Sequence, residues 1–135
     1  MTLIFCTDNK NGMAFHGRRQ SRDRLLQRRL LSRTSGALLW MSPYSAKLFA
    51  PEAMDRIRVS EHFLHQAGEN DFCFAETVDP GTVSPLPEQI IRYGWNRDYP
   101  ADLHCTLDLS QYKQVHQEEF PGSSHEKITE EVYIL

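Results

Sequence analysis

At 135 residues, with 40 % hydrophobic and 24 % charged side chains, the chain has the composition of one globular domain built on a single core, and not that of a disordered polymer. No apolar run approaches the about 20 residues of a bilayer-spanning helix, and the apolar N-terminus is too short for a secretory signal, so a soluble cytoplasmic protein is expected. The net charge of −3 neither demands nor excludes a nucleic-acid partner, but the charge is uneven: seven arginines lie between Arg18 and Arg33, whereas the stretch from Asp102 onward holds seven acids against Lys113 and Lys127. That asymmetry fits either an anion-binding face or a basic helix packed against an acidic strand.

Thr2 to Cys6 is a short, continuously apolar strand, ended by the turn-forming run Asp8-Asn9-Lys10-Asn11-Gly12. Met13 to His16 continues in extended form until Gly17. A helix is predicted from about Ser21, capped by its hydroxyl, with Asp23 in the first turn and Leu25, Leu26, Leu30 and Leu31 as its apolar stripe. Gly36 ends it. Ala37 to Met41 is the next strand, and Ser42-Pro43 opens a short helix that Pro51 stops. Ile57 to Val59 is predicted as a strand, Ser60 to Gln66 as a short helix and Phe72 to Ala75 as a strand. Three prolines and a glycine make Thr77 to Pro87 a loop. Gln89 to Trp95, Leu103 to Leu107, Tyr112 to Phe120 and Ile128 to Ile134 are strand-like. Strands alternating with helices and then following one another predict a single α/β domain over residues 1–135, its mostly parallel mixed sheet finished by a C-terminal antiparallel hairpin.

Cys6, Cys73 and Cys105 are scattered and form no Cys-x-x-Cys pair, which fits reduced thiols. The six histidines include no His-x-His and no His-Glu-x-x-His, so no metal site is expected. Neither a P-loop nor a Gly-x-Ser-x-Gly elbow is present, and Ser123-Ser124-His125 reads as a turn whose adjacent serine and histidine carry no triad geometry.

Several strings resemble dihydrofolate reductase. Leu3-Ile4-Phe5-Cys6 leading to Asn11-Gly12-Met13 is similar to that family's first strand and glycine-containing loop, and Leu39-Trp40-Met41-Ser42 before Pro43-Tyr44-Ser45 to its strand-to-helix step. Tyr99-Pro100-Ala101-Asp102-Leu103-His104, Asp108-Leu109-Ser110-Gln111-Tyr112-Lys113 and Glu118-Glu119-Phe120-Pro121-Gly122 resemble its C-terminal strands in order and spacing. The resemblance implies a dihydrofolate reductase-like fold, oxidoreductase-type chemistry with NADPH, and a role for Asp23 as the acid that binds and protonates a flat substrate, work that calls for a raised pKa. The chain departs from the family where the paired glycines should stand, at Phe74-Ala75-Glu76, and where Asp79-Pro80-Gly81 replaces the helix that seats the cofactor pyrophosphate. The arginine expected after Met41 is Pro43. The opening Asn-Gly-Met and Arg-Arg-Gln-Ser-x-Asp strings also resemble small bacterial proteins labelled ribonuclease Z, whose His-x-His-x-Asp-His zinc string is missing here.

The candidate ligand-binding residues are Asn11, Gly12 and His16, expected to converge on one side of the sheet; Arg18 and Arg19 as an anion clamp; Ser42 and Ser45 as hydroxyls receiving a phosphate at a helix start; and Tyr93 at a strand end near the cleft. With Arg22 and Arg24 beside it, Asp23 also reads as a first-turn residue that satisfies the helix dipole. Three functional classes follow: a flat or phosphorylated small molecule bound between Asn11 and Asp23, with reductase activity in its active version; nucleotide or RNA binding or processing through Arg18 to Arg33; or a non-catalytic interaction domain with a partly filled cleft.

Overall fold

The computed structural model describes residues 1–135. Its elements are β1 (Thr2–Thr7), β2 (Gly12–Phe15), β3 (Arg18–Arg19), α1 (Arg24–Arg33), β4 (Leu39–Met41), α2 (Pro43–Ala46), β5 (Ile57–Val59), α3 (Phe63–Gln66), β6 (Phe72–Phe74), β7 (Gln89–Gly94), β8 (Leu103–His104), β9 (Lys113–Phe120) and β10 (Ile128–Ile134). Seven strands form one sheet in the order β5-β4-β6-β1-β7-β10-β9. β5, β4, β6, β1 and β7 run parallel, and the hairpin of β9 and β10 closes the edge antiparallel to β7. The chain leaves β1 toward β4 on one side and returns through β6 to β7 on the other. The carboxyl ends of β1, β6 and β7 therefore flank a topological switch, where open α/β sheets hold their ligands.

The strand period of two assigns the faces. Ile4, Ile91, Tyr93 and Val132 point toward α1 and α2, meeting Leu26, Leu30, Ala46 and Phe49 in the larger core; Leu3, Phe5, Ile90 and Tyr133 point the other way, onto Phe63 of α3, Met13 and Tyr112. Leu26 and Leu30 are buried, each contributing about 1.5–3 kcal/mol, and they fix the rotation of α1 about its axis. That rotation aims Arg29 and Arg33 at Glu130 of β10, which is fully buried. The basic stretch is thus partly a helix packed on acidic strands.

Four local expectations change. The cap of α1 is Asp23, not Ser21, because Asp23 holds the extended backbone (φ −155°, ψ 125°) from which a side chain reaches the first free N–H groups. Arg18 and Arg19 form a strand of a second, three-stranded sheet ordered β3-β2-β8, and only Leu103 and His104 of the predicted 103–107 strand pair there. α3 starts after His62, and the Ser60 hydroxyl accepts only the His62 N–H at 3.0 Å. No helix is long and apolar enough to cross a membrane.

Candidate functional site

Asp23 is held from two sides. Its Oδ1 accepts the N–H groups of Leu25 (3.0 Å) and Leu26 (3.1 Å) at the start of α1, and that of Ser123 (2.9 Å) in the turn before β10. Its Oδ2 accepts from Ser124 N (2.8 Å) and lies 3.0 Å from His125 Nδ1. In return the Arg24 N–H donates to Ser123 Oγ at 2.9 Å. Position 122 has to be glycine, since a Cβ there would overlap the Asp23 carboxylate and Ile128. Burial pushes the Asp23 pKa upward, but the N–H groups of Ser123 and Ser124, the His125 imidazole and the N–H of Leu26 outweigh it, holding the carboxyl well below the usual carboxylate range. The raised pKa expected of a proton donor is therefore reversed: five donors converge on the ionised form, and none of them accepts the O–H of a neutral acid.

The same geometry orients His125. With Nδ1–H given to Asp23, Nε2 is left as an acceptor; it lies 3.2 Å from Ser21 Oγ and 2.9 Å from the Tyr99 hydroxyl, which is itself 3.4 Å from Ser21 Oγ. The Trp95 ring stacks on the imidazole at 4.5 Å and 23°. His125 is the residue that sequence reading misses. It is about a hundred positions from Ser21 and Asp23, and only the closure of β10 against the sheet brings it there.

Beside this group runs a narrow cleft at the carboxyl ends of β1, β6 and β7. Leu26, Leu30, Phe49 and Phe74 form its apolar wall; Ser21, Gln27, Asp23 and Glu76 supply polar groups. Its free volume is about 10 Å³, room for a single water. Phe49 and Phe74 meet edge to face at 6.2 Å across it. Gln27 Nε2 is buried in this wall with no acceptor.

Arg19 and Ser45 do come together, on an acid of the chain itself. Glu76, which follows β6, accepts from Arg19 Nε (2.9 Å) and Nη2 (3.1 Å) in a two-pronged pair and from Ser45 Oγ at 2.8 Å. Arg19 also lies over the Tyr44 ring at 4.1 Å. The anion clamp is thus filled by an internal carboxylate standing where paired glycines were expected. No helix follows β6. The 3-10 turn Pro80–Thr82 is capped by Asp79, whose carboxylate takes the N–H groups of Gly81 and Thr106. Two acids and no open helix terminus do not fit a dinucleotide pyrophosphate, so the residues present do not form the usual NADPH seat.

The other candidates are dispersed. Ser42 caps α2, accepting the Ser45 N–H at 3.2 Å. Tyr93 is buried under α1 and donates to Glu130 at 2.9 Å. Gly12 is buried, and a Cβ there would meet Asp8 and Gln20 at 2.6 Å. Asn11 (φ 62°) lines an open polar groove of about 330 Å³ with Arg92 and Glu131, on the sheet face opposite α1. His16 (φ 51°) stacks on the exposed Phe15 at the tip of the β2–β3 hairpin, beside exposed Arg18. The expected convergence of Asn11, Gly12 and His16 does not occur, because the hairpin carries His16 outward. Of the seven arginines, Arg19, Arg29 and Arg33 are consumed by internal acids, and Arg18, Arg22, Arg24 and Arg28 face solvent.

His116, Glu118 and Glu130 bring ligand atoms within 4.8 Å of one another, but the guanidinium groups of Arg29 and Arg33 already neutralise that cluster. All three cysteines are free, and burial raises each thiol pKa, that of Cys73 to about 12.

No protein-family model matches the chain, and no curated protein matches it in sequence. Among solved structures, a dihydrofolate reductase from Enterococcus faecalis, complexed with NADP(H) and RAB-propyl, matches over 98 % of this chain and 94 % of its own, with a TM-score of 0.68 and 11 % identity. With its mixed seven-stranded sheet and C-terminal antiparallel hairpin, the chain has a divergent dihydrofolate reductase-like fold.

Proposed function

We infer that the chain binds a compact, flat small molecule at the cleft beside Asp23, the ligand parting walls that at rest enclose only about 10 Å³, and that it does so without dinucleotide-dependent reduction. The observation that carries this reading is the Gln27 amide: a buried donor left without an acceptor, in an enclosed and otherwise largely apolar cleft at the switch of the sheet. An acceptor on a ring edge would satisfy it. Asp23 serves as the anchor of the cleft wall and as its fixed negative charge, and Glu76 turns phosphorylated ligands away by occupying Arg19 and Ser45. In the Enterococcus protein the same architecture is complexed with NADP(H) and a second small molecule, which supports small-molecule binding on this scaffold.

Thermal unfolding with pterin, adenine or nicotinamide tests the reading. One of these flat heterocycles should raise the midpoint, by the equivalent of about 2.7 kcal/mol at a hundredfold excess over Kd. Gln27→Met should abolish that response while itself stabilising the free protein, because an unsatisfied buried amide costs about 1–3 kcal/mol. A flat response to all three compounds, or a Gln27→Met variant that responds like the parent, overturns it.

A separate assay addresses reduction. Purified protein mixed with NADPH and dihydrofolate should give no loss of nicotinamide absorbance above the rate without protein. A protein-dependent decay would restore a reductase and show that Glu76 swings out of the clamp.

A further inference from the structure

Ser21 Oγ, His125 and Asp23 Oδ2 form a chain of contacts, with separations of 3.2 Å to Nε2 and 3.0 Å to Nδ1 on either side of the imidazole. The carboxylate is buried and locked by four backbone N–H groups, so it fixes the tautomer that leaves Nε2 facing the hydroxyl. Trp95 holds the ring plane. Ser21 is only half-buried, standing where the cleft meets solvent, and its hydroxyl contacts nothing but His125 and Tyr99. A serine held by an imidazole that is itself held by a carboxylate has the arrangement of an activated nucleophile. We propose that Ser21, His125 and Asp23 form a serine-hydrolase relay that cleaves small, uncharged carboxylic esters with a short acyl group. This rests on the reading that the cleft beside Asp23 receives a small molecule.

The chemistry closes on these residues. As Ser21 Oγ bonds to the ester carbonyl carbon, its proton passes to His125 Nε2 and the carbonyl electron pair moves onto oxygen. Collapse breaks the bond to the alcohol, which leaves with the proton from His125, and the acyl group stays on Ser21. Water then attacks the acyl carbon, giving a proton to His125, and Ser21 Oγ leaves and takes that proton back. Ester and water become acid and alcohol. Tyr99 shares Nε2 with Ser21 at rest and is free to donate to the oxyanion once the imidazole is protonated. Asp23 is the positioning residue. The narrow apolar cleft favours a short acyl group, the acids Asp23 and Glu76 disfavour anionic esters, and the leaving group faces solvent.

The test is p-nitrophenyl acetate turnover together with labelling by methanesulfonyl fluoride, in which the Ser21 oxygen displaces fluoride from sulfur. The parent should release nitrophenolate catalytically and take one methanesulfonyl group, mapped by peptide mass to Ser21. Ser21→Ala removes no backbone contact; it should keep the parent melting temperature, lose turnover by about 100-fold or more and take no label. Ser21→Cys should recover an acyl intermediate visible by mass. If Ser21→Ala turns over at the parent rate, or the label is missing or lands elsewhere, the relay is a structural clip only. Ligand-induced stabilisation of the Ser21→Ala protein separates that failure from failure of the cleft itself.

Discussion

Asp23→Asn should lower the thermal unfolding midpoint by about 10 °C or more, a loss of about 3–4 kcal/mol in a domain of this size. The carboxylate accepts from four backbone N–H groups and the imidazole, and it joins two segments a hundred residues apart. An amide of the same shape offers one acceptor oxygen and turns an NH₂ group toward N–H donors, so the donors on the second oxygen, Ser124 N and His125 Nδ1, lose their acceptor. A proton-donating acid would respond differently, losing activity on conversion to asparagine while keeping its fold. The pH dependence separates the two roles. Because the native pKa is depressed, the unfolded state binds more protons around pH 4, and unfolding free energy falls as pH drops from the unfolded carboxylate value toward the native one. The stability gap between parent and Asp23→Asn, measured by urea unfolding, should therefore be full at pH 7 and shrink in acid. A pH-independent gap would show that the charge is not what matters.

The architecture was legible in sequence because it depends on local patterns. Apolar runs bounded by Asp8 to Gly12, Gly36 and Pro121-Gly122 gave strands whose alternation with helices implied a mostly parallel sheet, and Ile57–Val59 and Ile128–Ile134 were predicted with the bounds they have. Ser42-Pro43 signalled the start of α2 because cap and proline act within one turn. The site was not legible to the same degree. Asp23 could be singled out, yet the direction of its pKa is set by Ser123, Ser124 and His125, which approach only in three dimensions. Arg19 and Ser45 were read as ligands of an external anion, whereas both bind Glu76, and nothing in the residue types tells an internal acid from an external phosphate. His125 looked like a turn residue because the turn is all that its neighbours encode.

The buried acid under α1 gives the second large effect, and its asymmetry is the informative part. Glu130 has no exposed side-chain surface, whereas the side chains of Arg29 and Arg33 are 27 % and 37 % exposed. If the acid goes, as in Glu130→Gln, both guanidinium groups can turn toward solvent and Tyr93 keeps an acceptor, so the loss should be about 1–2 kcal/mol. Arg29→Ala with Arg33→Ala leaves a carboxylate seated under α1 with only Tyr93 and His116 as partners, and the loss should be about 3–5 kcal/mol. The pH response should invert as well. In the parent, burial pushes the Glu130 pKa up, but the hydrogen bonds of Arg33 and Tyr93 and the charges of Arg33 and Arg29 outweigh it and leave it lowered, so this acid favours folding above the unfolded carboxylate pKa. Without the guanidinium groups burial dominates and the native pKa rises above the unfolded one. The native state then binds more protons, and stability grows as pH falls. Urea unfolding from pH 7 to pH 5 should show the double variant gaining on the parent. A constant deficit, or a deficit no larger than that of Glu130→Gln, would mean that Tyr93 and His116 suffice to hold the charge and that the arginines of α1 are there for its solvent face.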